Sequence, residues 1–179
     1  LGSFLEHLGR AIYTGVYQPD SPLADAAERR AWTEVGRLVG RRVDVNAPQV
    51  DGMTALHWAA HHDEAATVDV LAKAGANANS RNRYGVTPLA LAATNGSTLV
   101  TARLIAAGAD VNASLPGGET ILMTAARSGS LPVVKALIAA GARVDAKDDR
   151  RGQTALVWAA AEGHASVVEL DATDHLASV

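Results

Sequence analysis

Residues 52–60 read Gly52-Met53-Thr54-Ala55-Leu56-His57-Trp58-Ala59-Ala60, and the phrase returns down the chain. It comes back as Gly85-Val86-Thr87-Pro88-Leu89-Ala90-Leu91-Ala92-Ala93 and as Gly118-Glu119-Thr120-Ile121-Leu122-Met123-Thr124-Ala125-Ala126. A fourth copy is Gly152-Gln153-Thr154-Ala155-Leu156-Val157-Trp158-Ala159-Ala160. The threonines therefore step by 33, 33 and 34 residues. A second phase keeps the step: Gly75-Ala76-Asn77, Gly108-Ala109-Asp110 and Gly141-Ala142-Arg143 recur every 33. The one extra residue must lie between Asp145 and Gly152. A weaker copy begins at Ser21-Pro22-Leu23-Ala24-Asp25 and ends at Val43-Asp44-Val45-Asn46. Self-similarity at this step marks stacked units, none of which buries its apolar side alone.

Each unit reads as helix, turn, helix, loop. Ser21, Thr54, Thr87, Thr120 and Thr154 are N-cap residues, whose hydroxyls accept from free amides of the first turn. Pro22 and Pro88 follow at the first helical position, where a missing N–H costs nothing. Gly96, Gly129 and Gly163 break the first helix after two turns. A second helix carries apolar residues at helical spacing, as in Val133, Val134, Leu137 and Ile138, with Pro132 near its start. Gly75, Gly108 and Gly141 end it in the left-handed conformation. Asn77, Asn79, Asn112 and Asp145 recur at loop starts and read as loop braces.

Composition agrees with close-packed helices. Alanine supplies 37 of the 179 residues and phenylalanine one. With no cysteine, the chain has no disulfide, thiolate zinc site or cysteine nucleophile. A net charge of -3 argues against a nucleic-acid or membrane surface. No apolar run approaches the ~18 residues of a membrane span. No signal peptide is evident, and the start at Leu1 suggests a processed chain or a fragment. Thirteen arginines against three lysines hint at a GC-rich source genome. The compartment stays open between cytoplasmic and exported.

These motifs resemble the ankyrin repeat, in the pattern D-x-x-G-x-T-P-L-H-x-A-A-x-x-G-H…V-V-x-L-L…G-A-x-V-N-A, over roughly residues 20–170. The wording of the units is similar to that of bacterial ankyrin proteins. The resemblance implies a mostly α repeat solenoid, a stack of antiparallel helix pairs with projecting β-hairpin or loop tips and a concave face. The units run at about 20–48, 49–81, 82–114, 115–147 and 148–179, the last incomplete. Residues 1–19 form an N-terminal extension. There Ser3 and Glu6 suggest a capping box, and Phe4, Leu8 and Ile12 an apolar stripe that covers the first unit. In the last unit Asp171 replaces an apolar residue and His175 a glycine, so the final helix is expected to turn early with Asp171 exposed.

His57 and His61 share a helical face, the spacing of zinc-protease ligands. Glutamate is absent from position 58, however, where Trp58 stands. The resemblance assigns His57 a structural role, bonded to Thr54 and loop backbone. Glycine-containing "DGMT" and "GGET" lack a P-loop lysine. Asp148, Asp149, Arg150 and Arg151 read as a solvated tip rather than an acid–base pair. No catalytic residue, metal ligand set or cofactor is expected.

In ankyrin proteins the binding surface is commonly the tips and the exposed side of the first helices. Carried over by position, it comprises Met53, Trp58, His61, His62, Arg83, Tyr84, Val86, Leu91, Asn95, Glu119, Arg127, Arg150, Arg151, Gln153, Trp158 and Glu162. Trp58 and Trp158 have an alternative reading as packing residues, and Trp32, on the second helix of the first unit, reads as core. The expected function is non-catalytic binding of a protein partner by a monomeric module, without nucleic acid or a membrane span. The alternatives are a structural segment of a longer repeat protein and a metal-binding protein using the His57–Glu64 cluster.

Overall fold

The computed structural model describes residues 21–174, with side chains to residue 170. Ten α-helices among these residues form five helix–turn–helix pairs. The pairs are α1 (Pro22–Glu28) with α2 (Trp32–Gly40), α3 (Ala55–His61) with α4 (Ala65–Lys73), and α5 (Pro88–Thr94) with α6 (Thr98–Ala106). Then come α7 (Ile121–Ser128) with α8 (Leu131–Ala139), and α9 (Ala155–Ala161) with α10 (Ala165–Asp174). The first helices stack on one another in chain order, and the second helices form a parallel row behind them. This is the expected helical repeat stack.

Local chemistry fixes each unit. The side-chain oxygens of Ser21, Thr87 and Thr120 accept from Ala24 N, Ala90 N and Met123 N at 3.3, 3.2 and 3.2 Å. Thr154 has the same extended backbone, φ -94° and ψ 171°, without a cap bond from its side chain. Just past the first helix the chain turns through a left-handed residue, which is glycine in the last three units. The earlier units place Arg30 and Asp63 there, both at φ 58°. Asparagine and aspartate tolerate this region better than most residues, and the Asp63 carboxylate also accepts from the Ser97 hydroxyl of the next unit.

The core runs the length of the stack between the two rows. Leu71, Leu104 and Leu137 sit at one register of the second helices and are wholly buried. Each contributes about 1.5–3 kcal/mol from apolar burial. One register over stand Val35, Val68 and Val134, all buried, but the same place in α6 is Thr101. Its hydroxyl is buried and has no hydrogen-bond partner among the described residues. Thr101→Val is therefore expected to stabilise the protein by about 1 kcal/mol, because it removes an unmet polar group at constant shape. Urea unfolding checks this, and an unchanged or lower midpoint contradicts it.

Three asparagines stitch the loops of neighbouring units. Asn46, Asn79 and Asn112 donate Nδ2–H to the carbonyls of Gly75, Gly108 and Gly141 at 3.1, 3.0 and 3.1 Å. Their Oδ1 atoms accept from the backbone N–H of residues 77, 110 and 143. Asp145, next in this register, is a carboxylate and has no amide to donate. Asn77 instead braces its own loop, accepting from Asn79 N at 2.9 Å.

The tips are tight turns rather than paired strands. Gln49 N, Asn82 N and Leu115 N bond to Met53 O, Val86 O and Glu119 O, closing the first three. In the fourth, Asp148 N reaches Gln153 O, one position further, which places the extra residue of the repeat inside that tip. An isolated bridge between Ser114 and Thr120 is the whole of the β-structure among the described residues. At the C-terminal end α10 continues to Asp174, past the early turn expected from sequence. Ten residues long, it exceeds the nine-residue second helices before it. The expectations for residues 1–19, the Asp171 side chain and His175 fall outside the described residues.

Candidate partner-binding face

The histidine cluster resolves into three environments. His57 is buried at 0% exposure, and both its ring nitrogens are engaged. Its Nε2 lies 3.0 Å from Val86 O, a pure acceptor, so Nε2 carries the proton. Nδ1 then accepts from Thr54 N at 3.2 Å and the Thr54 hydroxyl at 2.9 Å. Burial pushes its pKa below the ordinary imidazole value, partly opposed by the Val86 carbonyl. His57 thus ties its own unit to the next tip and shares no metal site with His61, which is exposed.

His62 is half-buried and reaches towards the first unit. Its Nδ1 accepts from Arg30 Nε at 3.1 Å, and its Nε2 donates to Glu28 O at 3.2 Å. Its ring stacks on Trp58 with centroids 5.8 Å apart and meets Trp32 edge-on at 5.9 Å. Trp32 is half-buried and packs against the core from the side. Of the positions that lack the motif histidine, Met123 offers a substitute: its Sδ accepts from Thr120 N at 3.4 Å, whereas Ala90 and Val157 carry no side-chain acceptor.

The candidate residues divide by exposure. His61, Arg83, Tyr84, Asn95, Arg127, Arg150, Arg151 and Glu162 are exposed, with Tyr84 at 65%. Trp58, Val86, Leu91, Glu119, Gln153 and Trp158 are half-buried. Met53 departs from expectation: it is 7% exposed and belongs to the core, not the surface. The turn at Asp51, whose carboxylate accepts from Met53 N at 2.9 Å, aims the methionine inward. Val50, at 51% exposure, and Tyr84 on the following tip are the apolar side chains presented outward there. Arg83 N donates to Asp51 O at 2.8 Å, which ties the two tips together.

Asp148 fixes the fourth tip. Its carboxylate accepts from the backbone N–H of Arg151, Arg150 and Gln153 and from Trp158 Nε1. These bonds, led by that of Arg151, hold its pKa below the usual carboxylate value. Arg150 and Arg151 are thereby carried outward on a braced turn. On the third tip Glu119 accepts from Thr124 Oγ1 at 3.0 Å and pairs with Arg127 Nη2 at 3.2 Å. The Arg127 guanidinium lies 5.2 Å from the Trp158 ring centroid.

Three residues outside the sequence-derived set belong to the same face. Trp58 Nε1 donates to Gln49 Oε1 at 2.7 Å, and Gln49 Nε2 donates to both Asp25 Oδ1 and Glu28 Oε2 at 2.7 Å. Asp25 and Glu28 lie 33 residues before Trp58 and His61 and occupy the same register of α1. That step extends the register into the first unit, but the missing Gly-x-Thr entrance obscures it. Gln49, where the fourth tip has Asp148, is the matching brace of the first.

Among the described residues, no helix is long and apolar enough to cross a membrane, and no three histidine, aspartate or glutamate side chains converge as metal ligands. The family model for ankyrin repeats (three copies) matches residues 23–114 and 99–170. Short stretches also match two curated relatives. One is an intracellular exo-alpha-(1->5)-L-arabinofuranosidase of Streptomyces lividans, 68% identical over 51 residues, which are 28% of this chain and 7% of that protein. The other is intracellular exo-alpha-(1->5)-L-arabinofuranosidase 1 of Bacillus subtilis (strain 168), 67% identical over 24 residues, 13% of this chain and 5% of that protein. The chain thus spans only a small part of either enzyme, and the matches assign it no activity. The chain belongs to the ankyrin-repeat family, whose members are generally protein–protein interaction modules and typically non-catalytic.

Proposed function

We propose that this ankyrin-repeat chain binds a partner protein through the concave face formed by its first helices and tips, without catalysing a reaction. The observation that carries the reading is the contrast between rigid support and free side chains on that face. Tyr84 is largely exposed on a tip tied to its neighbour, and Arg150 and Arg151 project from a turn that four hydrogen bonds to Asp148 hold in place. Tyrosine, tryptophan and arginine dominate interface energies, and prior ordering lowers the entropy lost on binding. The half-buried Leu91, between the Trp58 and Trp158 ends, supplies an apolar centre.

A quantitative pull-down from lysate of the source organism tests this. It compares the native chain with a His61→Ala, Tyr84→Ala, Arg151→Ala variant, whose replaced side chains are exposed. With helicity and unfolding midpoint unchanged, the variant is expected to lose at least tenfold of the captured partner. Equal recovery moves binding off this face.

A further inference from the structure

The first helices repeat two positions along the face. One reads Asp25, Trp58, Leu91, Thr124 and Trp158, and the next turn reads Glu28, His61, Thr94, Arg127 and Ala161. At the C-terminal end this register is satisfied from within. Arg127 of one unit covers Trp158 of the next, and Glu119 completes the group as the carboxylate partner. At the Trp58 end the residue in the place of Arg127 is Glu28, and Asp25 stands one turn before it. Gln49 gathers both carboxylates and the Trp58 indole N–H around a single side-chain amide. No cationic side chain among the described residues pairs with either carboxylate. One end therefore holds indole, carboxylate and guanidinium. The other holds two carboxylates and an indole that His62 stacks on and His61 meets edge-on, and among the described residues no guanidinium or ammonium pairs with those carboxylates.

We propose that the Trp58 end of the face receives an arginine side chain of the partner protein, its guanidinium paired with Asp25 and Glu28 beside the indole that His62 already stacks on. The proposal rests on the partner-binding reading above and gives that partner its charge. A guanidinium suits the place better than an ammonium. It is planar and weakly hydrated, and donates in a fork to carboxylates. The Gln49 amide keeps the two acceptors close together before any partner arrives, so little ordering remains to be done.

The probe is acetyl-Gly-Arg-Gly-amide titrated into the 15N-labelled chain, with the Trp58 indole Nε1–H as the reporter. The citrulline peptide, neutral and of the same shape, is the control. The arginine peptide is expected to shift the Trp58 resonance saturably in the millimolar range, at least tenfold more tightly than citrulline. It should leave Trp158, which Arg127 already covers, unmoved. An Asp25→Asn, Glu28→Gln variant keeps both oxygen acceptors for Gln49, and should bind the arginine peptide at least tenfold more weakly. Equal response to the two peptides, equal response of the two proteins, or no movement of Trp58 overturns the proposal. None of these outcomes alters the pull-down, so failure of the arginine site and failure of the binding face are told apart.

Discussion

Replacing His57 by alanine is expected to lower the unfolding free energy by about 3–5 kcal/mol, the range for emptying a buried site and stranding its polar neighbours. The imidazole is fully buried and bonded at both nitrogens, to Thr54 on its own helix and to Val86 O on the next tip. Alanine leaves the Thr54 amide and the Val86 carbonyl without those partners, and leaves a cavity between two units. A loss of this size is a large share of the roughly 5–15 kcal/mol that holds a typical domain folded. His57→Met should recover part of it, because Met123 already supplies a sulfur acceptor to Thr120 N at the equivalent place. Urea unfolding of the three proteins gives the order native, methionine, alanine. An alanine variant within 1 kcal/mol of native, on the scale of an ordinary surface change, contradicts the role assigned to His57.

The same residue gives the stack a pH dependence of known sign. Burial lowers the His57 pKa in the folded state below its ordinary value of 6.5. Below that pH the unfolded chain takes up a proton that the folded chain refuses, so stability falls as pH falls. The slope approaches about 1.4 kcal/mol per pH unit at most, and ends once the folded imidazole itself titrates. His62 is shifted in the same direction and adds to the trend. The part that belongs to His57 is the difference between native and His57→Met, which should grow smaller from pH 7 towards acid.

Gly52→Ala is the second substitution with a large expected effect, about 2–5 kcal/mol of destabilisation. Gly52 has φ +83°, and a side chain in the left-handed region costs about 1–2 kcal/mol. Its added Cβ would also stand 2.9 Å from Asn82 Cα and 3.0 Å from Arg83 N. Both are backbone atoms of the neighbouring tip and cannot rotate away, so an overpacking cost of about 1–3 kcal/mol joins the first. Gly75→Ala is the control: φ is +89°, and nothing lies within 4 Å of the new Cβ. It should show the backbone cost alone. Equal losses in the two variants would mean that the tips do not press on one another.

Much of this architecture is legible in the sequence, because it follows from short-range chemistry repeated at a fixed step. The threonine caps, the glycine stops and the apolar faces announce five units, and the asparagine ladder obeys the same step. What escaped were features decided between units. Arg30 and Asp63 hold the left-handed turn where glycine is the rule, Asp63 with a bond to Ser97 that no local pattern announces. Met53 is exposed by analogy of position but buried by the direction of a single turn. Asp25, Glu28 and Gln49 belong to the face only because the first unit, whose entrance motif is worn away, stacks in register with the rest. The final helix ignores the polar Asp171 in its backbone path and continues to Asp174.

Hydrogen exchange of the chain, alone and with the partner recovered in the pull-down, tests the binding face most directly. Slowed exchange is expected at the tips around residues 49–53 and 82–86 and at the exposed ends of α3, α5 and α7, with the second helices α4, α6 and α8 unchanged. Protection confined to those second helices would place the partner on the opposite side and contradict the account.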